Sequence, residues 1–239
     1  FGLPGQDDAV WQQDIRDVMA SGVHGVDLYQ LIAMQGTNLE RAQEKGTLDW
    51  LADGQQRAAM YAYGGAQLEA HGWERLSCSH WRHSPAEQSR YNQMAKRGAE
   101  ILPFGAGAGG SILGHGLMYG RDLAPWHDAL ASGKRAPGMV MGRNPNARMD
   151  GLLRGALDSG MLALDRLPAP LLTHLMPLFA AWQQHGLAEI ENARLQLTLA
   201  GRFWNVNMQA GLFEFLQLNP LDGSAPPSHG TAAVRHSLV

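Results

Sequence analysis

"ILPFGAGAGGSILGHGLMYGRD", residues 101–122, is the stretch on which the fold turns. Gly105, Gly107 and Gly110 satisfy G-x-G-x-x-G, the pattern in which glycines let a strand-to-helix turn hold a dinucleotide pyrophosphate. That use needs a strand before the run, a helix starting inside it, and an acidic residue about 20 positions later on a second strand. Residues 99–104 supply a short strand, cut by Pro103, but Gly114, Gly116 and Gly120 follow too closely for a helix to hold. No second strand comes after. The dinucleotide reading fails, and two readings stand for this loop at the carboxyl end of a strand: contact with a ligand, or tight packing of the turn.

Working upstream, apolar periodicity and turn residues alternate. Asp7 or Asp8 caps a helix carrying Val10, Trp11, Ile15, Val18 and Met19, which Gly22 ends. Residues 23–32 read as a buried strand, 55–70 as a helix and 73–79 as a strand. Ser84-Pro85-Ala86-Glu87 reads as a capping box opening a helix to Lys96. Strand and helix in alternation, at this spacing, predict parallel strands with crossover helices, either an open doubly wound sheet or the last part of a (β/α)₈ barrel.

Downstream, residues 121–145 read as a Pro/Gly/Arg-rich linker. Helices are expected over 147–160 and 170–185, two short strands around Asn192-Ala193, and a helix over 200–218. That order suggests a winged-helix-like, mostly helical module over 146–218, with a disordered tail over 219–239.

Composition narrows the function classes. The 239 residues are 45% hydrophobic, enough for one large core or two modest ones, and the net charge of −3 gives no footing for nucleic acid or an anionic membrane. Between residues 140 and 216 six arginines balance six acids, so the helical module also lacks a phosphate-binding surface. Cys78 is the single cysteine, which excludes an internal disulfide and cannot alone hold a zinc or an iron–sulfur cluster. A cytoplasmic setting follows most simply, and no apolar run approaches the roughly 18 residues of a membrane span. Cys78, His80 and His83 crowd six residues and do not converge easily on one ion, so no metal site is assigned. The opening "FGLPGQDD" (1–8) reads as the end of a strand, and the chain is expected to be a fragment.

Several stretches, taken in order, carry a resemblance: "FGLPGQ" (1–6), "DLYQLI" (27–32), "EKGTLDWLADGQQRAAMYAYGGAQLEAHGWERLSCSHWR" (44–82), "RYNQMAKRGAEILPFGAGAGG" (90–110) and "LQLTLAGRFWNVNMQ" (195–209). Together they resemble the oxygen-independent coproporphyrinogen III oxidase family of radical S-adenosylmethionine enzymes. "SHWR", "RYNQMAKRGAE" and "LTLAGRFWNVN" are most similar to its anaerobic haem-degrading methyltransferase branch. The haem-trafficking branch carries H-N-x-x-Y-W where this chain has Tyr91-Asn92-Gln93-Met94-Ala95-Lys96.

The resemblance implies an α/β fold: residues 1–120 as the C-terminal half of a TIM-type (β/α) barrel, from the end of the fifth strand to the eighth, followed by the winged-helix-like module. It implies S-adenosyl-L-methionine and a 4Fe-4S cluster as cofactors, an electron donor for the cluster, and a tetrapyrrole substrate. Haem methylation with ring opening comes first, decarboxylation of coproporphyrinogen second; a non-catalytic haem or adenosyl binding module is the alternative from another class. It places Gly2, Ile32, Gly105, Gly107 and Gly109 against S-adenosylmethionine, with the glycine loop lying along the adenosyl group. His80 would donate a proton to the tetrapyrrole or contact it, Arg82 would clamp a propionate, and Tyr29 would line the substrate side. His115 reads as a loop histidine. The family's C-x-x-x-C-x-x-C and G-G-T-P stretches are absent from these residues, so the fragment alone is expected to be inactive, its cluster ligands lying upstream.

Overall fold

The computed structural model describes residues 1–32, 36–47, 51–134 and 138–221. They form two compact units, one holding residues 1–88 and those from 157 on, the other residues 89–156.

The first unit begins with helix α1 (Asp8–Ala20), whose first turn is capped by Asp7 accepting from the Val10 amide at 2.9 Å. α1 buries Trp11 and Ile15, and the Trp11 indole donates to the Met60 carbonyl at 2.7 Å. After strand β1 (Gly25–Asp27) and the short helix α2 (Asn38–Glu44) comes α3 (Gly54–Ala70). α3 opens on a complete capping box between Asp53 and Gln56. Its double glycine admits large neighbours: a Cβ on Gly64 would sit 2.9 Å from Leu28 and Trp11, and one on Gly65 3.1 Å from Trp81. Met60, Tyr61 and Leu68 complete the core with Trp73 and Trp81.

The sheet of this unit corrects the expectation of all-parallel strands. β2 (Glu74–Arg75) and β3 (His80–Arg82) form a hairpin, and the order is β1-β3-β2 with both pairings antiparallel. β1 and β2 do run the same way, as a helical crossover requires, but β3 folds back between them. The reason is the turn at 77–79, where the Ser77 hydroxyl accepts the amides of Ser79 and His80 at 3.3 and 3.2 Å and stops the strand read as 73–79. Past β1 the chain keeps pairing. Phe1 N donates to Tyr29 O at 2.6 Å and Leu31 N to Phe1 O at 2.8 Å, the pattern of two parallel strands.

The helix expected from Pro85 also shortens. α4 runs only over Arg90–Lys96, and Ser84 closes a turn instead, its hydroxyl accepting from Ala86 N at 3.2 Å and its carbonyl from Glu87 N at 3.1 Å. Ser89, at φ +43°, separates that turn from the helix.

In the second unit, the strand expected over 99–104 is a single antiparallel bridge, Ile101 to Ser111. The glycine run leads into a hairpin of β4 (Gly109–Ile112) and β5 (His115–Met118), turning through Leu113 and Gly114 at φ +51° and +80°. α5 (Leu123–Ala131) and β6 (Met139–Val140), which pairs with β5, occupy the stretch read as linker. α6 (Ala147–Ser159) leads back to the first unit.

There β7 (Met161–Ala163), α7 (Ala169–Gln184), β8 (Ala188–Glu191), β9 (Arg194–Leu197), α8 (Leu199–Phe203) and α9 (Asn205–Leu218) follow. The three strands pair antiparallel in the order β7-β9-β8. α7 buries Leu171, Leu175, Phe179 and Trp182 at helical spacing. The Phe203 ring lies 5.8 Å from that of Tyr61, so α8 seals the core of α1 and α3. Of the tail read as disordered, residues 222–239 lie outside the described residues. Among the described residues the chain is mixed α/β with three small antiparallel sheets, none closed on itself.

Asn192 and Ala193 turn the β8–β9 hairpin at φ +49° and +56°. A left-handed conformation costs an L-residue with a Cβ about 1–2 kcal/mol. Ala193→Gly is therefore expected to stabilise the protein by roughly 0.5–1 kcal/mol, net of the extra freedom glycine gives the unfolded chain. Chemical denaturation should show a higher midpoint at unchanged slope; a lower midpoint contradicts the strain.

Candidate functional site

The strongest chemistry in the first unit is built where β1 ends and β3 begins. Asp27 and His80 are directly paired across the two strands, which brings His80 Nδ1 to 3.0 Å from Asp27 Oδ1. On the other side of the ring, Nε2 lies 3.7 Å from Glu87 Oε1. Glu87 reaches this position because Gly25 has no side chain: a Cβ there would stand 2.7 Å from Glu87 Cγ. The imidazole is buried, 7% exposed, and neither nitrogen makes an aligned hydrogen bond despite the short distance to Asp27. Only the imidazolium has an N–H for each carboxylate; the neutral ring can serve one. A buried histidine with a carboxylate at each nitrogen can hold a proton and pass it on, which is the equipment of a general acid.

The loop carrying His80 is anchored at Cys78. Tyr61 of α3 donates its hydroxyl hydrogen to the Cys78 carbonyl, while the Cys78 amide donates to Asp158 O at 2.7 Å and Sγ to Leu157 O at 3.4 Å. Burial pushes the Tyr61 phenol up to about 12, against the lowering effect of Arg75, whose guanidinium donates to the phenol oxygen at 3.1 Å. The hydroxyl therefore keeps its hydrogen at any physiological pH. Tyr29, 65% exposed, holds its hydroxyl against Asp27 and Ser79. Its phenol is raised above the usual tyrosine value, first by partial burial and then by the negative charge of Asp27.

Of the residues the sequence points to, the structure thus brings Tyr29 and His80 together through Asp27. Gly2 and Ile32 flank the Phe1–Leu31 pairing at the same strand ends; Gly2 is left-handed at φ +76°, with the Arg57 side chain 2.9 Å from where a Cβ would be. Ile32 is half exposed. Arg82 is not brought to the cluster: its guanidinium grips Glu74 at 2.9 and 2.6 Å. Gly105, Gly107 and Gly109 belong to the second unit. Gly105 and Gly107 are left-handed, at φ +95° and +74°, and a Cβ on Gly105 would meet open space, so backbone conformation is what demands glycine there. The tight contact is at Gly110, whose Cβ would collide with the Ile101 carbonyl. Asp27 and Glu87 were not singled out from sequence. Asp27 sat inside an apparent strand, and Glu87 matched a capping box; Gly25 was the signal that a neighbour crosses the strand.

The residues present do not fit an iron–sulfur cluster. Cys78 is the one cysteine, and its sulfur is buried against Leu157 O. No group of three histidine, cysteine, aspartate or glutamate side chains among the described residues is disposed to hold a metal ion. Nor is any described helix long and apolar enough to cross a membrane.

Comparison with known proteins places this arrangement. No protein-family model matches the chain. Anaerobilin synthase of Escherichia coli O157:H7 is 38% identical over 220 residues, 91% of this chain and 49% of that protein. The mitochondrial radical S-adenosyl methionine domain-containing protein 1 of Danio rerio is 31% identical over 116 residues, 48% of this chain and 26% of that protein. The solved structure of coproporphyrinogen III oxidase from Escherichia coli, a radical SAM enzyme, matches with a TM-score of 0.66 at 16% identity, over 88% of this chain and 52% of that one. The fold is like that of coproporphyrinogen III oxidase. In sequence the chain is similar to anaerobilin synthase along nearly all its residues, and it spans about half the length of that relative.

The Asp27 charge can be read through Tyr29. Asp27→Asn should lower the Tyr29 pKa, and a spectrophotometric phenolate titration, with Tyr29→Phe identifying which transition is lost, checks it. An unmoved transition would show that the carboxylate does not face the phenol.

Proposed function

We propose that the chain is the C-terminal part of a radical S-adenosylmethionine enzyme that methylates haem anaerobically and opens the ring, releasing iron. The observation that carries this reading is the 38% identity to anaerobilin synthase over 91% of the chain. In the whole enzyme these residues would form the second half of a (β/α) barrel over 1–120 and a winged-helix-like module over 146–218, joined by a linker. The parallel pairing at Phe1 and the common direction of β1 and β2 support the barrel strands. Gly2, Ile32, Gly105, Gly107 and Gly109 are proposed contacts to S-adenosylmethionine. The cluster ligands belong to the part of the enzyme that these residues do not include, and the cluster requires an electron donor.

What these residues contribute to the chemistry is proton control beside the tetrapyrrole. His80, held between Asp27 and Glu87, is the proton donor, and it can be reprotonated along the Asp27–Tyr29 edge, where Tyr29 is exposed. Tyr29 lines the substrate side. Arg82 is available to a propionate only by leaving Glu74.

The test uses the complete protein, reconstituted anaerobically with iron and sulfide and supplied with a reductant, S-adenosylmethionine and haem. The Soret band should collapse as a methylated, ring-opened tetrapyrrole forms in the mass spectrum. His80→Gln should slow product formation roughly a hundredfold or more while haem affinity changes little. Unchanged haem alongside decarboxylation of coproporphyrinogen III would replace haem opening with the oxidase reaction. Haem binding without either product would make the protein a binding module.

A further inference from the structure

The second unit contains a cleft of about 700 Å3, within the roughly 300–1,000 Å3 typical of small-molecule sites. Nothing in the proton-control site uses it. Small residues form much of its lining: Ala95 lies in the last turn of α4, Gly98 and Ala99 follow that helix, and Ala147 and Gly151 come from the first turns of α6. Glycine sets how closely α6 lies. A Cβ on Gly151 would be 3.0 Å from Gly98 Cα, and one on Gly155 would collide with the Lys96 carbonyl. The opposite side is the β4–β5 turn, tied to the 143–145 segment by Asn144 N donating to Gly114 O at 2.8 Å. Such walls suit a ligand with a flat apolar body.

The charge around this cleft is uneven. Its one carboxylate, Glu100, is spent on the Leu113 amide, which donates to Oε1 at 2.7 Å. Asn144 is likewise engaged, with its amide nitrogen on Asp150 at 2.7 Å. Arg143 and Arg148 both line the cleft, and neither guanidinium has a hydrogen-bonding or ionic partner among the described residues. Elsewhere in the protein Arg75 and Arg82 are each locked to a glutamate. Two uncommitted guanidinium forks beside an apolar slot match a ligand that carries carboxylates on an apolar plate.

We infer that this cleft is the carboxylate-recognition site for the tetrapyrrole, with Arg143 and Arg148 gripping its propionates and the Ala95–Gly98–Ala99 and Ala147–Gly151 walls receiving the ring. The inference rests on the tetrapyrrole reading for its ligand, and it moves propionate recognition from Arg82, which Glu74 occupies, to a pair of free arginines. Neither guanidinium makes a hydrogen bond or ion pair that its replacement would break, and glutamine keeps the start of the aliphatic stem, so substitution tests recognition rather than folding.

The experiment is a haemin titration of the complete protein without S-adenosylmethionine or reductant, so that nothing turns over. It is followed by the Soret shift and tryptophan quenching. Arg143→Gln and Arg148→Gln should each weaken binding about tenfold, the double variant more, and Arg→Lys should recover part of the loss. Haemin dimethyl ester, with both carboxylates capped, should bind the wild type and the double variant alike and weakly. Haemin bound equally by the double variant, or diester bound as tightly as free haemin, overturns the cleft assignment while leaving the tetrapyrrole reading in place. No saturable binding also overturns it. Arginine-dependent haemin binding in an enzyme that forms no tetrapyrrole product would keep the cleft and remove the catalytic reading.

Discussion

Cys78 is the point on which the first unit depends. Its carbonyl accepts from Tyr61 in α3, and its amide and sulfur donate to the carbonyls of Asp158 and Leu157 at the end of α6. Segments far apart in the chain thus meet at one buried peptide. A backbone group left unpaired there would cost roughly 1–3 kcal/mol, and the turn of Ser77–Ser79 would lose its fixed position. Since that turn launches β3, the placement of His80 opposite Asp27 follows from it. The cysteine matters here for its backbone and its burial, not for metal binding.

The same anchor explains the electrostatics. With Tyr61 beneath and Arg75 stacked 4.6 Å from the Trp81 ring, the side of β3 facing the core is saturated with partners. His80 points the other way, to two carboxylates that face it from different elements: Asp27 from the neighbouring strand and Glu87 from the turn before α4.

Much of this was legible in the sequence where local chemistry decides the outcome. Asp7 caps its helix, Trp11 and Ile15 turn inward at helical spacing, and Asn192-Ala193 turns a hairpin. The failures came where a short segment had two local solutions and tertiary contacts chose between them. Residues 73–79 have strand character throughout, but the Ser77 hydroxyl caps the amides of a turn. Ser84–Glu87 has the composition of a capping box, yet Glu87 gains a buried histidine and the helix starts later. The glycine run leads into a hairpin, not a helix, and its glycines serve left-handed backbone at 105 and 107 and a close backbone approach at 110. Of the site, Tyr29 and His80 could be found by resemblance. Asp27, Glu87 and the free arginines could not, because being partnered or unpartnered is a property of the folded chain.

The most direct measurement on the central claim is amide hydrogen exchange of the Tyr61→Phe variant, followed by mass spectrometry across residues 76–82. If Cys78 is the anchor, this segment should exchange about tenfold faster or more than in the wild type, while the β8–β9 hairpin keeps its protection. Equal protection of residues 76–82 in both proteins would show that His80 is positioned by something other than the Cys78 peptide.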